Sequence, residues 1–180
     1  MNSIWDNIKL KPGEYGDFYQ GYIDQVGSGN VIEILKNQMQ LTYTLINSLS
    51  YEQSHYRYAK GKWSVLEVIG HLIDAERVFA YRALRFSRND DAELPGFDQD
   101  QYIDESNYNS RSKQSLGNEY RAVRNASVHL FSGFTEGMLM RKGVANEALF
   151  TARSIPFIIA GHERHHLALL KTNYGLDFHL

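Results

Sequence analysis

The sequence predicts an all-α fold, and more specifically a four-helix bundle. The apolar residues recur at helical rather than alternating spacing, and only three prolines interrupt 180 residues (Pro12, Pro95 and Pro156). The chain is 43% hydrophobic and 22% charged, which is enough apolar material for one sizeable core. We therefore expect a single domain over residues 1–180.

The first predicted helix follows a breaker at residues 27–30. Asn30 is its expected N-cap, and the helical pattern continues to about Leu49. The N-terminal 25 or so residues are expected to lie across the bundle as an irregular arm or a short helix. Residues 50–62 form a polar connection.

The second predicted helix has the strongest signal. Ser64 and Glu67 match a capping box, in which the two side chains accept hydrogen bonds from free backbone donors of the first turn. Trp63 precedes the cap and is the expected hydrophobic staple. The helix is predicted to end near Ser87.

A long connection around the Leu94–Phe97 turn leads to a third helix, predicted from about Lys113 to Phe134. A connection of this length can cross the end of a bundle and lets two successive helices lie parallel. The last helix is predicted to begin near Ser154, to tolerate Pro156 in its first turn, and to stop at Gly175. No strand pattern is evident.

Composition excludes several functional classes. The formal net charge of −2 gives no basic excess for nucleic acid or an anionic membrane. The absence of cysteine excludes disulfides, thiolate ligands and a protein thiol nucleophile. Neither a signal peptide nor a spanning segment is evident. These features predict a cytoplasmic protein with no membrane or nucleic-acid partner.

Three of the seven histidines fall in the segment GHERHH near the end of the chain. His162 and His166 lie four residues apart, which places both imidazoles on one face of a helix. Such a pair is weak evidence alone, because roughly 0.3 pairs are expected by chance with seven histidines. However, the helical wheel directs both rings along the apolar face, where buried polar groups need partners.

His71 supplies a candidate third ligand on the second helix. Antiparallel packing of the second and last helices brings His71 level with His162 and His166. Three imidazoles predict a site for one divalent metal with open positions for water or substrate. Alternatively, the three are core histidines bonded to backbone groups or to Glu76.

The other histidines have ordinary expected roles. His165 is placed at the edge of the apolar face, near the site or at the surface. His55, His129 and His179 are expected to be solvated.

Residues 162–166 also match HExxH, the pattern of zinc proteases. Leu169 and Thr172 stand where the extended protease pattern requires glycine and histidine, and only 14 residues follow His166. We therefore do not expect a protease, and we interpret Glu163 as a helix-edge residue that reaches solvent.

The chain resembles the DinB/YfiT superfamily in two motifs, Gly61–Phe86 and Ala160–Gly175, and also in the connection Leu94–Tyr102. The resemblance implies a bundle of up-down-down-up topology with His71, His162 and His166 as metal ligands. It also implies one of several chemistries, including metal-dependent hydrolysis and transfer of a low-molecular-weight thiol such as bacillithiol. In each, the metal lowers the pKa of a bound water or thiol to create the nucleophile.

The sequence leaves several choices open. The metal is nickel, zinc, iron or manganese, because imidazole binds all of them. The substrate is expected to be a small molecule, and a homodimer is possible through an apolar face. The alternative to an enzyme is a non-catalytic, metal-stabilised binding protein with a stress-related role.

Other polar residues are weaker candidates for the site. Glu76 is predicted to be buried, either orienting a ligand histidine or, preferably, pairing with Arg153 or another arginine. Asp98 and Tyr102 are candidates for the mouth of a metal cavity. Three arginines, Arg77, Arg82 and Arg85, are expected at a solvated helix edge, where one that faces the pocket could hold an anionic substrate.

Overall fold

The computed structural model describes residues 3–178, so His179 lies outside the described residues. The chain forms α1 (Gln20–Ile23), α2 (Val31–Ser48), α3 (Tyr51–His55), α4 (Val65–Ser87), α5 (Gln99–Asp104), α6 (Lys113–Ser132), α7 (Glu136–Leu139), β1 (Lys142–Ala145), β2 (Ala148–Thr151) and α8 (Ser154–Thr172). Single 3₁₀ turns occupy Asp17–Tyr19 and Tyr108–Ser110.

The four long helices α2, α4, α6 and α8 are the predicted bundle. Their starts follow the predicted signals: Asn30 caps α2 through its side chain, and Ser64 and Glu67 form the capping box of α4. The predicted ends are close, although α6 stops at Ser132 and α8 at Thr172. Helices α2 and α4 each pack against α6 and α8, so α2 and α4 lie on one diagonal.

The contacts between helices give their directions. Along α2, Gln38 bonds to Ala160 and Thr42 to Glu163, so α2 and α8 are parallel. The start of α6 lies beside the end of α2, because Lys113 donates hydrogen bonds to carbonyls at that end, so α2 and α6 are antiparallel.

Along α4, the ring of His71 lies near His166, whereas Phe79, two turns later, lies near the earlier His162. Helices α4 and α8 are therefore antiparallel. With the directions of α2, α6 and α8, this gives the up-down-down-up order.

A layer of buried polar side chains divides the apolar core into two clusters. Leu35, Val128 and Ala160 belong to one cluster, and Met39, Tyr120 and Leu167 belong to the other. Gln38, Arg124 and Glu163 lie between these positions along α2, α6 and α8, and all three are buried.

The structure corrects the expectation that the chain has no strands. β1 and β2 pair as an antiparallel hairpin, whose turn residues Asn146 and Glu147 have φ values of 50° and 61°. The backbone of Leu94 bonds to both Val144 and Asn146, which attaches the long connection to this hairpin. Each strand has only four residues, too few for alternation to show against the helical background.

Three connections contain short helices that were not predicted, namely α3, α5 and α7. Ser50 forms a capping box with Gln53 and starts α3, so residues 50–62 are not wholly irregular. Asp98 caps α5.

The N-terminal arm packs across the bundle as predicted. The Trp5 side chain is buried and donates a hydrogen bond to the Phe131 carbonyl, and α1 packs against α8. Among residues 3–178, no helix combines the length and the apolar character needed to cross a membrane.

Candidate metal centre

Three histidine side chains from two helices meet inside the bundle. His162 Nε2 lies 3.0 Å from His71 Nε2 and 3.1 Å from His166 Nε2. Each of the three rings offers one nitrogen as a metal ligand, and these three nitrogens all lie within 4.8 Å of one another. His71 and His162 are buried, and His166 is partly buried. The structure thus brings together the three residues singled out from the sequence.

Both helices contribute to this convergence through local sequence. The four-residue spacing places His162 and His166 on successive turns of α8, and the antiparallel direction of α4 sets His71 at the same height. A glycine precedes His71 and another precedes His162. A Cβ at Gly70 would lie 2.3 Å from the Tyr108 ring, and one at Gly161 would lie 2.0 Å from the Tyr22 carbonyl oxygen. These glycines let neighbouring segments cover the site closely.

Burial keeps the three imidazoles uncharged near neutral pH. It lowers the pKa of His71 to about 4. For His166, burial and the neighbouring His71 and His165 lower the pKa to about 3. The pKa of His162 lies well below its ordinary value because of burial and the other histidines. Neutral imidazoles retain the lone pairs that a metal ion requires.

The arrangement of the three rings fits a site for a divalent metal better than it fits histidines that hydrogen-bond to backbone groups or carboxylates in the core. In the described part of the chain, the three rings hydrogen-bond to one another and to no backbone group or carboxylate. Imidazole nitrogens bound to zinc at about 2.0–2.1 Å in a tetrahedral site are separated by about 3.3 Å. The observed separations of 3.0 and 3.1 Å are close to that value. The proposed alternative partner, Glu76, bonds elsewhere.

The histidine cluster borders two cavities. His71 and His162 line a cavity of about 400 Å³, together with Phe79 and Arg82 of α4 and Tyr22 of α1. Its other residues come from α4, the N-terminal arm, the long connection and the hairpin: Ala75, Gly16, Asp17, Phe18, Tyr19, Gly96, Phe97, Gln99, Asn146 and Ala148. A second cavity, of about 530 Å³, includes His166 and Trp63 in its wall.

A buried charged network lies next to the cluster. Arg124 of α6 donates to both carboxylate oxygens of Glu76 and, at 2.6 Å, to Glu163. Glu163 also accepts hydrogen bonds from the hydroxyls of Tyr120 and Thr42. Burial lowers the pKa of Arg124, but the charges of Glu163 and Glu76 outweigh this effect and hold the pKa well above its ordinary value.

This network corrects two expectations. Glu163 is only 1% exposed, so the prediction that it reaches solvent at a helix edge is wrong. The preferred role of Glu76, pairing with an arginine, is confirmed, but its partner is Arg124; Arg153 instead pairs with Glu14. A helical wheel of α4 shows only which side of that helix Glu76 lies on. No signal in the sequence identified Arg124, on α6, as its partner.

The remaining polar candidates lie in different environments. Asp98 is exposed and caps α5, and Tyr102 is 46% exposed and packs on Phe97; neither lines the cavity beside His71. Arg77 and Arg85 pair with carboxylates outside this cavity. Arg82 is the one of these three arginines that lines it.

The other histidines are peripheral to the cluster. The partly buried His165 ring packs against Tyr22 and His166. His129 is exposed, as expected. His55 is not fully solvated, because it is partly buried and its Nε2 lies 3.2 Å from the Asn109 carbonyl oxygen. Tyr22, which covers His162 and His165, was not singled out from the sequence because its segment has no long helical pattern.

The chain is similar in sequence and in fold to several known proteins. The chain is 27% identical over 143 residues to an Oceanobacillus iheyensis protein named as a candidate metal-dependent hydrolase, covering 78% of this chain and 79% of that protein. Its fold is similar to that of YfiT from Bacillus subtilis, described as a candidate metal-dependent hydrolase with an unusual four-helix bundle topology. That match has a TM-score of 0.71 at 17% identity and covers 94% and 95% of the two chains.

The fold is also similar to that of the DinB-like protein YjoA from Bacillus subtilis. The TM-score is 0.58 at 16% identity, and the match covers 82% of this chain and 94% of that one. The sequence model of the DinB superfamily matches residues 34–170, which include all of α4 and most of α2 and α8. The chain therefore belongs to the DinB superfamily.

Proposed function

We propose that this protein binds one divalent transition metal through His71, His162 and His166 and uses it to hydrolyse a small molecule. The observation that carries the proposal is the convergence of three uncharged imidazoles, two buried and one partly buried, beside a cavity of about 400 Å³. The names of the Oceanobacillus iheyensis relative and of YfiT support the same reaction class.

A bound divalent ion would supply Lewis acidity, which acidifies water or a thiol and polarises an electrophile. The chain's own residues hold the ion and shape its surroundings. Phe79 and Tyr22 pack their rings near His162 and line the same cavity. Burial and the neighbouring Tyr19 raise the pKa of Tyr22, so its hydroxyl keeps its proton at neutral pH and can donate a hydrogen bond. Glu76 is held by Arg124, which leaves it a supporting role.

A second candidate function is transfer of an external low-molecular-weight thiol, of the bacillithiol type, to an electrophile. The two cavities support it, because His71 and His162 border one and His166 borders the other. Two small molecules can therefore approach the cluster from different sides. The absence of cysteine means that any thiol must come from outside the chain.

A non-catalytic role would be favoured by a filled cavity and a fourth protein ligand. Within the described residues, the cluster consists of three histidines with no carboxylate, and it borders open cavities. These features support an enzyme over a purely structural site.

The function is tested by loading the full chain separately with nickel, zinc, iron(II) and manganese. Each form is assayed for hydrolysis of aryl esters and amides, and for conjugation of a low-molecular-weight thiol to an electrophilic dye. We expect turnover with at least one metal, loss of turnover after chelation, and loss in His71→Ala but not in His129→Ala. Turnover by the chelated protein or by His71→Ala equal to that of the metal-loaded wild type would refute the proposal.

A further inference from the structure

Arg82 is a buried cation that lacks an acidic partner in the described structure. It is 2% exposed, and one terminal nitrogen donates a 3.1 Å hydrogen bond to the Pro95 carbonyl oxygen. Its guanidinium carbon lies 5.7 Å from the centre of the Phe79 ring. Within residues 3–178, no carboxylate lies within 4.0 Å of its nitrogens, the distance that defines an ion pair.

Three other arginines of α4 and α6 do have acidic partners. Arg77 pairs with Glu119, Arg85 with Asp90, and Arg124 with Glu76 and Glu163. A buried charge is costly unless a counter-charge compensates its lost hydration. One carbonyl oxygen satisfies only one of the five guanidinium N–H donors. The remaining donors are available to an anion from outside the chain.

Arg82 and the histidine cluster share one cavity. The Phe79 ring centre lies 5.7 Å from the Arg82 guanidinium carbon and 6.2 Å from the centre of the His162 ring, so the guanidinium is within about 12 Å of that ring. Aromatic side chains of Tyr19, Tyr22 and Phe97 also line the cavity. The acid among the lining residues, Asp17, is exposed, so solvent and salt screen its charge.

We propose that Arg82 binds an anionic group of the substrate, a carboxylate or a phosphate, while the aromatic walls hold an apolar body. The guanidinium presents parallel N–H donors that match either anion. The position of the reacting bond at the histidines rests on the proposed function above. Anion binding itself does not, because it needs Arg82 and the cavity but no metal.

The test is a ligand-observed NMR titration of the full chain, both metal-loaded and stripped by chelation. The probes are 3-phenylpropionate, 2-phenylethyl phosphate and the uncharged 3-phenylpropanamide, which share an aromatic body. For the stripped wild-type chain, we expect at least one of the two anions to bind at least about tenfold more tightly than the amide. The preferred anion identifies the group that the substrate carries.

Arg82→Met retains the apolar stem and removes the charge, and we expect it to lose at least about tenfold in anion affinity. Arg82→Lys should retain part of that affinity, and Arg85→Met, whose arginine is outside the cavity, should match wild type. Equal binding of amide and anions, unchanged binding in Arg82→Met, or no anion binding by wild type would overturn the proposal. If Arg82→Met does not fold, the amide comparison and Arg82→Lys still decide.

The stripped chain also separates the two proposals. If the stripped chain binds anions through Arg82 but takes up no metal when metal is added back, the anion site is supported and the metal-dependent function is refuted. Metal-dependent turnover without a preference for anions would support the metal-dependent function and refute the anion site at Arg82.

Discussion

The guanidinium of Arg124 lies between two carboxylates in a region that solvent does not reach. It joins Glu76 of α4 to Glu163 of α8, and both partners are at most 3% exposed. Glu163 directly follows His162 in the sequence, so the network restricts the rotation of α8 about its axis at the position of that histidine. These ion pairs thereby orient the histidine cluster without contacting its nitrogen atoms.

Replacing Arg124 with methionine leaves two buried carboxylates facing each other. Breaking a buried ion pair in this way typically costs about 3–5 kcal/mol, and we expect that loss in the free energy of unfolding, measured with urea at pH 7. The exposed Arg121 on the same helix is the matched control, and Arg121→Met should change stability by less than about 1 kcal/mol. A loss below 1 kcal/mol in Arg124→Met would show that the network does not stabilise the fold.

At the level of single residues, the sequence predicted the buried positions better than their partners. The wheel placed His162 and His166 on the apolar face and Glu76 at the centre of its own face, and all three side chains point into the bundle. Glu163 was misassigned because it lies on the flank of α8, where burial depends on the neighbouring helix. The position of Arg124 relative to both acids is a tertiary contact that helical periodicity does not encode.

The short helix α1 covers the histidine cluster because Gly161 has no side chain. A Cβ at this position would lie 2.0 Å from the Tyr22 carbonyl oxygen, so Gly161→Ala must displace α1. We expect a loss of about 1–3 kcal/mol in thermal or urea unfolding, as for other overpacked sites. Gly137→Ala in α7 is the control, because its Cβ would meet no atom within 4 Å. Equal stability of the two variants would contradict this close contact.

The N-terminal arm is also attached to the end of the hairpin and the start of α8. Glu14 accepts hydrogen bonds from Arg153 and Thr151, and its backbone carbonyl accepts one from the Thr151 amide. Burial raises the pKa of Glu14, but the Arg153 hydrogen bond and charge, with hydrogen bonds from Lys11 and Thr151, outweigh it. The net pKa lies below the ordinary 4.5.

This lowered pKa predicts how the arm contributes to stability as pH changes. A carboxyl with a lower pKa in the folded state stabilises the fold above its ordinary pKa, and the contribution disappears as pH falls through the folded-state value. Glu14→Gln should therefore cost about 1–3 kcal/mol at pH 7, with the difference from wild type shrinking as pH falls below 4.5. Urea unfolding at several pH values measures this, with the exposed Glu33→Gln as control. A difference that does not depend on pH would contradict the ion pair.

At the level of elements, the predictable features were those with strong local signals. Asn30, Ser64 and Glu67 mark the starts of α2 and α4, and long apolar repeats mark the helices themselves. Short elements such as α3, α5 and the hairpin gain their stability from contacts with the bundle. The Asn146-Glu147 turn also lacks the glycine that usually marks a two-residue hairpin turn, so its local sequence gave little warning.

For the whole molecule, helix direction determines which histidines can meet. The long connection after α4 lets α4 and α6 run the same way, so α8 returns antiparallel to α4 and places His162 and His166 beside His71. The topology was implied by the family resemblance, whereas the sequence pattern alone showed only that a parallel pair was allowed. A metal ion bound there would join two helices that are separated by more than 60 residues in sequence.

The most direct test of this account is a metal-binding titration of the purified full chain, with elemental analysis of the metal retained. We predict one divalent ion per wild-type chain and at least about a 100-fold weaker affinity in each of His71→Ala, His162→Ala and His166→Ala. His129→Ala, on the exposed face of α6, should bind as wild type does. Wild-type stoichiometry and affinity in His71→Ala would contradict a site shared between α4 and α8.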